Sequence, residues 1–175
     1  MWTSSHRTIA ALGLAALLAA ATGATAQPTP VNEILAAAGP VAVGTETVRI
    51  ALEPGAAGSL SRRLADIGGR RLYLVLGNLE AAASPGIAYE VYLGLPPGAV
   101  PAANDPHFVG TFSFFFVAPP DTTPRSLSYD VTALASRLAS QVRPDGRLAV
   151  TIVPTQPPTA EATRAAIGRI ALAVQ

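Results

Sequence analysis

From Val41 to the C-terminus the chain is cut into runs of five to eleven residues rich in Val, Ile, Leu, Tyr and Phe, separated by short Pro/Gly turns. Runs of that length suit β-strands, and each is far short of the roughly 20 apolar residues that a membrane-spanning helix needs. With 15 glycines and 16 prolines in 175 residues, a reversal signal follows almost every run. This punctuation predicts an all-β fold: a single antiparallel β-sandwich, jelly-roll-like or barrel-like, with one or two short helices.

Strands are expected near Val41–Val43, Thr47–Leu52, Arg71–Gly77, Ala88–Leu95, His107–Val117, Arg125–Tyr129, Arg147–Val153 and Ile167–Val174. Two segments carry helical spacing instead: Leu60, Leu64 and Ile67 after Ser59, and Val131, Leu134, Leu138 and Val142 after Asp130. Ser59 and Asp130 are suitable N-caps, and both helices are expected to lid the ends of the β structure. A further short helix is expected over Glu33–Ala38, capped by Asn32 and stopped by Gly39-Pro40. Turn chemistry is explicit at Pro96-Pro97-Gly98, Asn104-Asp105-Pro106, Pro119-Pro120-Asp121 and Pro144-Asp145-Gly146.

The fifth of these strands holds all five phenylalanines, four of them on alternate positions. Phe108, Gly110, Phe112, Phe114 and Phe116 share one face and are expected to point into the core, because side chains alternate along a strand. Phe115 lies on the other face with Thr111 and Ser113, next to a Pro-rich turn, where an exposed aromatic is a candidate interface anchor. Tyr92 raises the same question, since it alternates against Tyr89, Val91 and Leu93.

Residues 1–26 read as a cleavable signal peptide: Arg7, an apolar run from Ile9 to Ala21, and the small-residue site Ala24-Thr25-Ala26. The expected product is secreted or periplasmic and begins at Gln27, with residues 27–40 a linker holding the short helix and residues 41–175 the β-sandwich. The 149 residues after Ala26 suffice for one domain. They carry 11 basic and 11 acidic side chains, so no basic footprint for nucleic acid or anionic lipid is expected. No membrane association is expected after cleavage.

Chemistry-bearing residues are sparse. There is no lysine, which removes Schiff-base chemistry, and no cysteine, which removes disulfides and thiolate sites. After Ala26 the one histidine is His107, so imidazole-based zinc or copper sites within one chain are not expected. Asp105, Asp121, Asp130 and Asp145 each have a turn or cap explanation. Asp105-Pro106-His107 with Ser113 has the residue types of a hydrolytic triad, but Ser113 lacks the Gly-x-Ser-x-Gly elbow, and His107 reads more simply as a strand-entry residue. No catalytic residue, metal or cofactor is assigned, and the chain is not expected to be an enzyme.

Five segments then fall in a familiar order: Tyr89-Glu90-Val91-Tyr92-Leu93, Phe108-Val109-Gly110-Thr111-Phe112, Leu127-Ser128-Tyr129-Asp130-Val131-Thr132-Ala133-Leu134, Val150-Thr151-Ile152-Val153-Pro154 and Ile167-Gly168-Arg169-Ile170. Together, over roughly Val48 to Val174, they resemble the C-terminal β domain of plant-type polyphenol oxidases and tyrosinases, with Tyr89 to Tyr92 loosely matching its Lys-Phe-Asp-Val-type motif. The resemblance implies an antiparallel β-sandwich of the kind that packs over the dicopper domain and screens its entrance. One histidine cannot build a dicopper pair, so the resemblance implies an accessory protein rather than the oxidase. The expected partner is a separately encoded tyrosinase-type copper oxidase, with Phe115, Tyr92 and His107 as partner-contact candidates. The alternative is a free-standing envelope β-sandwich that binds another protein or a carbohydrate.

Overall fold

A computed structural model describes residues 33–175 except 57, 83–85, 103, 116, 118–124, 144 and 157–164. The expected signal peptide, Asn32, Phe116 and the Pro119-Pro120-Asp121 turn lie outside the described residues, as does Pro144.

Among the described residues, nine strands and two short α-helices follow in chain order: β1 (Glu33–Ala38), β2 (Val41–Val43), β3 (Val48–Pro54), α1 (Leu60–Ala65), β4 (Leu72–Ala81), β5 (Ala88–Leu93), β6 (Phe108–Ser113), β7 (Arg125–Asp130), α2 (Ala135–Gln141), β8 (Leu148–Pro154) and β9 (Ala165–Val174). A 3-10 turn over Thr132–Leu134 leads into α2. All pairings are antiparallel, in the order β6-β5-β8-β3-β1-β9-β4-β7, with β2 added alongside β9. The sheet curls into a nearly closed barrel. Its two terminal strands, β6 and β7, meet across a seam.

The interior follows the period of two. Leu72, Leu74 and Leu76 of β4, Tyr89, Val91 and Leu93 of β5, and Leu148, Val150 and Ile152 of β8 are all buried. The Tyr89 ring stacks on Phe112 at 5.3 Å and meets Phe114 edge-on at 5.8 Å, so the aromatic alternation supplies the core under β5 and β6. The Tyr89 hydroxyl is buried there without a hydrogen-bond partner among the described residues.

Both helices sit at the same end of the barrel, packed on each other through an interface that buries Leu60, Leu64, Ala135 and Leu138. They form at the two segments with helical spacing, but neither cap is used as expected. Ser59 makes no side-chain cap bond. Asp130 ends β7, and its carboxylate instead accepts hydrogen bonds from the Thr132 backbone N–H at 3.0 Å and hydroxyl at 2.6 Å.

Two expectations are corrected. Glu33–Ala38 is a strand, not a helix: it pairs with β3 on one side and β9 on the other, which buries Leu35 and Ala36. Alanine-rich local propensity loses to a slot between two strands, because pairing satisfies the backbone and buries both faces. The β6 strand is also shorter than His107–Val117. It ends at Ser113, and Phe108 at its start is 40 % exposed rather than in the core. A register shift between Val91 and Tyr92 sets Phe108 opposite Tyr92, and the two rings meet at 5.6 Å outside the barrel interior.

Candidate interaction surface at the barrel seam

The seam is built by two of the segments that stand out in the sequence, β6 and β7. Tyr129 of β7 reaches across to β6, and its hydroxyl donates a 3.1 Å hydrogen bond to the Thr111 carbonyl oxygen. Its ring lies against Gly110, where an added Cβ would stand 2.6 Å from Tyr129 Cε1. The glycine inside the Phe run is therefore required by the close approach of an aromatic ring. Burial raises the Tyr129 phenol above its ordinary pKa.

Toward the other end of β6 the strands part. They leave a cleft of about 410 Å³ lined by residues that include Thr111, Phe112, Ser113, Leu127 and Ser128. Neither β6 nor β7 has a strand on its outer side in the sheet order. Both present backbone edge groups, the kind of surface on which other chains add.

The three sequence-derived contact candidates divide between the ends of β6. Phe115 lies in the turn after the strand, 71 % exposed. The six residues of β6, Phe108–Ser113, span about 17 Å at strand rise. At the opposite end, His107 and Tyr92 are brought close together and are buried. The approach to β6 is held to α2 by Arg137 Nη1, which donates to the Pro106 carbonyl at 2.7 Å. Locally, the Asp105 carboxylate accepts from the His107 backbone N–H at 2.8 Å.

His107 is held by two contacts. Its Nδ1 lies 3.0 Å from the Leu93 carbonyl oxygen, which can only accept, so Nδ1 carries the proton. In the neutral ring, Nε2 then accepts from the Gln141 side-chain amide at 3.4 Å. This ties the β5 end and the β6 entry to α2. Tyr92 donates a 2.6 Å hydrogen bond to the Glu90 carboxylate. Burial, and then this bond, push its phenol up to about 12. Of the three candidates, Phe115 is the exposed one.

Among the described residues, no group of three or more His, Cys, Asp and Glu side chains comes together to hold a metal ion. No helix among them is long and apolar enough to cross a membrane. Sequence reasoning passed over Gly110 and Tyr129 as a pair, although a glycine interrupting a run of alternating phenylalanines is a sign of close approach.

The family model described as Domain of unknown function (DUF7868) matches residues 24–175. The chain belongs to this family. No curated protein sequence matches it. Among solved structures, latent apple tyrosinase superposes with a TM-score of 0.51 at 16 % identity, covering 77 % of this chain and 27 % of that one. Recombinantly expressed latent aurone synthase, a polyphenol oxidase, matches with a TM-score of 0.48 at 14 % identity, covering 77 % of this chain and 24 % of that one. The DUF7868 chain spans about a quarter of the length of these structures, and the region matched is C-terminal. The apple tyrosinase match shows a shared fold.

Proposed function

We propose that this DUF7868 protein is an exported, non-catalytic accessory domain that docks on a separately encoded tyrosinase-type copper oxidase and shields or helps load its dicopper site. The reading is carried by one observation: Phe115 stands 71 % exposed just past the end of a terminal strand, in a barrel whose fold is shared with part of latent apple tyrosinase. An exposed aromatic beside a terminal strand combines two means of recognition. Strand edges supply main-chain hydrogen bonds, and a ring that enters a pocket supplies the central apolar contact.

The test mixes the purified chain with a tyrosinase lacking its own C-terminal region, and follows phenol oxidation and copper content. Saturable inhibition or faster copper loading, weakened by Phe115→Ala, supports the reading. Unchanged oxidation and copper content at saturating concentrations of folded protein overturn it.

A further inference from the structure

A second site lies on the outer wall of the barrel, apart from the seam. A cleft of about 350 Å³ opens between β3, β8, the Gly94–Pro97 turn and the end of α2. Two arginines line it, Arg49 from β3 and Arg143 from the turn after α2, and no carboxylate among the described residues does. The remaining wall is mostly apolar, with Leu95, Pro96, Pro97 and Leu148.

The molecule shows elsewhere what it does with paired arginines. At the helix-capped end, Glu33 sits between Arg63 and Arg70, with carboxylate oxygens 2.5 and 2.9 Å from the two guanidiniums. Arg147 likewise has Glu53 at 2.9 Å, and Arg71 has Asp130 at 3.2 Å. In the cleft the bridging acid is missing. Arg49 donates two long hydrogen bonds, to the Pro96 carbonyl at 3.5 Å and to the Thr151 hydroxyl at 3.4 Å, and both acceptors are uncharged. Arg143 has Asp145 at 3.8 Å, on the side of the turn. Partial burial and the like charge of Arg143 lower the basicity of Arg49.

We infer that this cleft binds a carboxylate carried on an apolar body, the carboxylate bridging Arg49 and Arg143 as Glu33 bridges Arg63 and Arg70. The guanidinium fork matches the two oxygens of a carboxylate, and the Leu and Pro wall removes the attached apolar group from water. Such a group occurs on a small organic acid and at the C-terminus of a protein ending in an apolar residue.

The test is an NMR titration of the full-length mature chain with N-acetyl-leucine, N-acetyl-leucinamide, inorganic phosphate, and a pentapeptide with a C-terminal leucine carboxylate. N-acetyl-leucine is expected to give saturable shifts of the amides of Gly94, Leu95, Leu148 and Ala149, while the uncharged amide gives none. Arg49→Gln and Arg143→Gln are each expected to weaken binding by about tenfold or more, the size of one hydrogen bond to a charged group. Arg169→Gln, on the exposed side of β9, leaves it unchanged. Tighter binding of the pentapeptide than of N-acetyl-leucine assigns a protein C-terminus, and equal binding assigns a small acid. No saturable shift at these residues, an equal response to N-acetyl-leucinamide, or tighter binding of phosphate than of N-acetyl-leucine overturns the inference.

Discussion

Replacing Gly110 by alanine is the sharpest perturbation of the barrel seam. The new methyl group would stand 2.6 Å from Tyr129 Cε1 and 2.9 Å from Cδ1, well inside van der Waals contact. The β6 backbone is held by its ladder to β5, so the ring must swing outward. That movement breaks the 3.1 Å bond from the Tyr129 hydroxyl to the Thr111 carbonyl, which is worth about 0.5–1.5 kcal/mol. It also lifts the ring off β6, and overpacking of this kind costs about 1–3 kcal/mol in total. For a domain of this size each kcal/mol lowers Tm by about 2–4 °C, so Gly110→Ala is expected to melt several degrees below wild type. Urea denaturation with Tyr129→Ala and the double variant separates the causes. Because the methyl group clashes only with the ring, the double variant should be no less stable than Tyr129→Ala alone, with a coupling of about 1 kcal/mol or more. A Gly110→Ala protein as stable as wild type, or strictly additive effects, would refute the account of the seam.

At Gly168 an added Cβ would lie 2.7 Å from Asn78 Cβ and 3.1 Å from the Asn78 carbonyl oxygen, at a β4 bulge where Asn78 holds a positive φ of 52°. Backbone cannot swing aside as Tyr129 can, so Gly168→Ala is expected to cost about 2–3 kcal/mol by chemical denaturation, and a loss below that of Gly110→Ala would contradict this. Tyr89→Phe removes a buried hydroxyl with no partner among the described residues and should raise stability by about 1 kcal/mol, whereas a loss of stability would show that the hydroxyl is satisfied. The folded-state pKa of Tyr92 is raised from 10.0 to about 12, so the folded state holds its proton more tightly than the unfolded chain does. Its contribution is full below pH 10 and is lost as pH rises toward 12. Tyr92→Phe should flatten that part of the stability profile, and an unchanged slope would exclude Tyr92 as the source.

Much of this architecture is legible in the sequence because it rests on local alternation. The Pro/Gly punctuation marks eight of the nine strands, and the spacing of Leu60 and Leu64, then of Leu134 and Leu138, marks both helices. The strand at Glu33–Ala38 is not legible, for a physical reason: alanines carry a helical preference, while the slot that makes them a strand is formed by β3 and β9, remote in sequence. The exposure of Phe108 was hidden in the same way, since the register shift opposite Val91 and Tyr92 belongs to a pairing and not to one strand. His107 is legible as a strand-entry residue, but its contacts with Leu93 and Gln141 come from distant segments. The Arg49–Arg143 cleft leaves no local trace, because the two arginines are adjacent only once β3 and the turn after α2 are brought together.

The seam and the exposed turn after it give the docking proposal its geometry. Phe115 is 71 % exposed, and thermal melting of Phe115→Ala alongside the binding assay separates recognition from folding. The most direct measurement is sedimentation equilibrium of the mature chain with a tyrosinase lacking its own C-terminal region, for wild type and for Phe115→Ala. A defined one-to-one complex that weakens at least tenfold in the variant is the predicted result. Sedimentation of the two proteins as independent species at concentrations well above micromolar would contradict docking, whatever the seam contributes to stability.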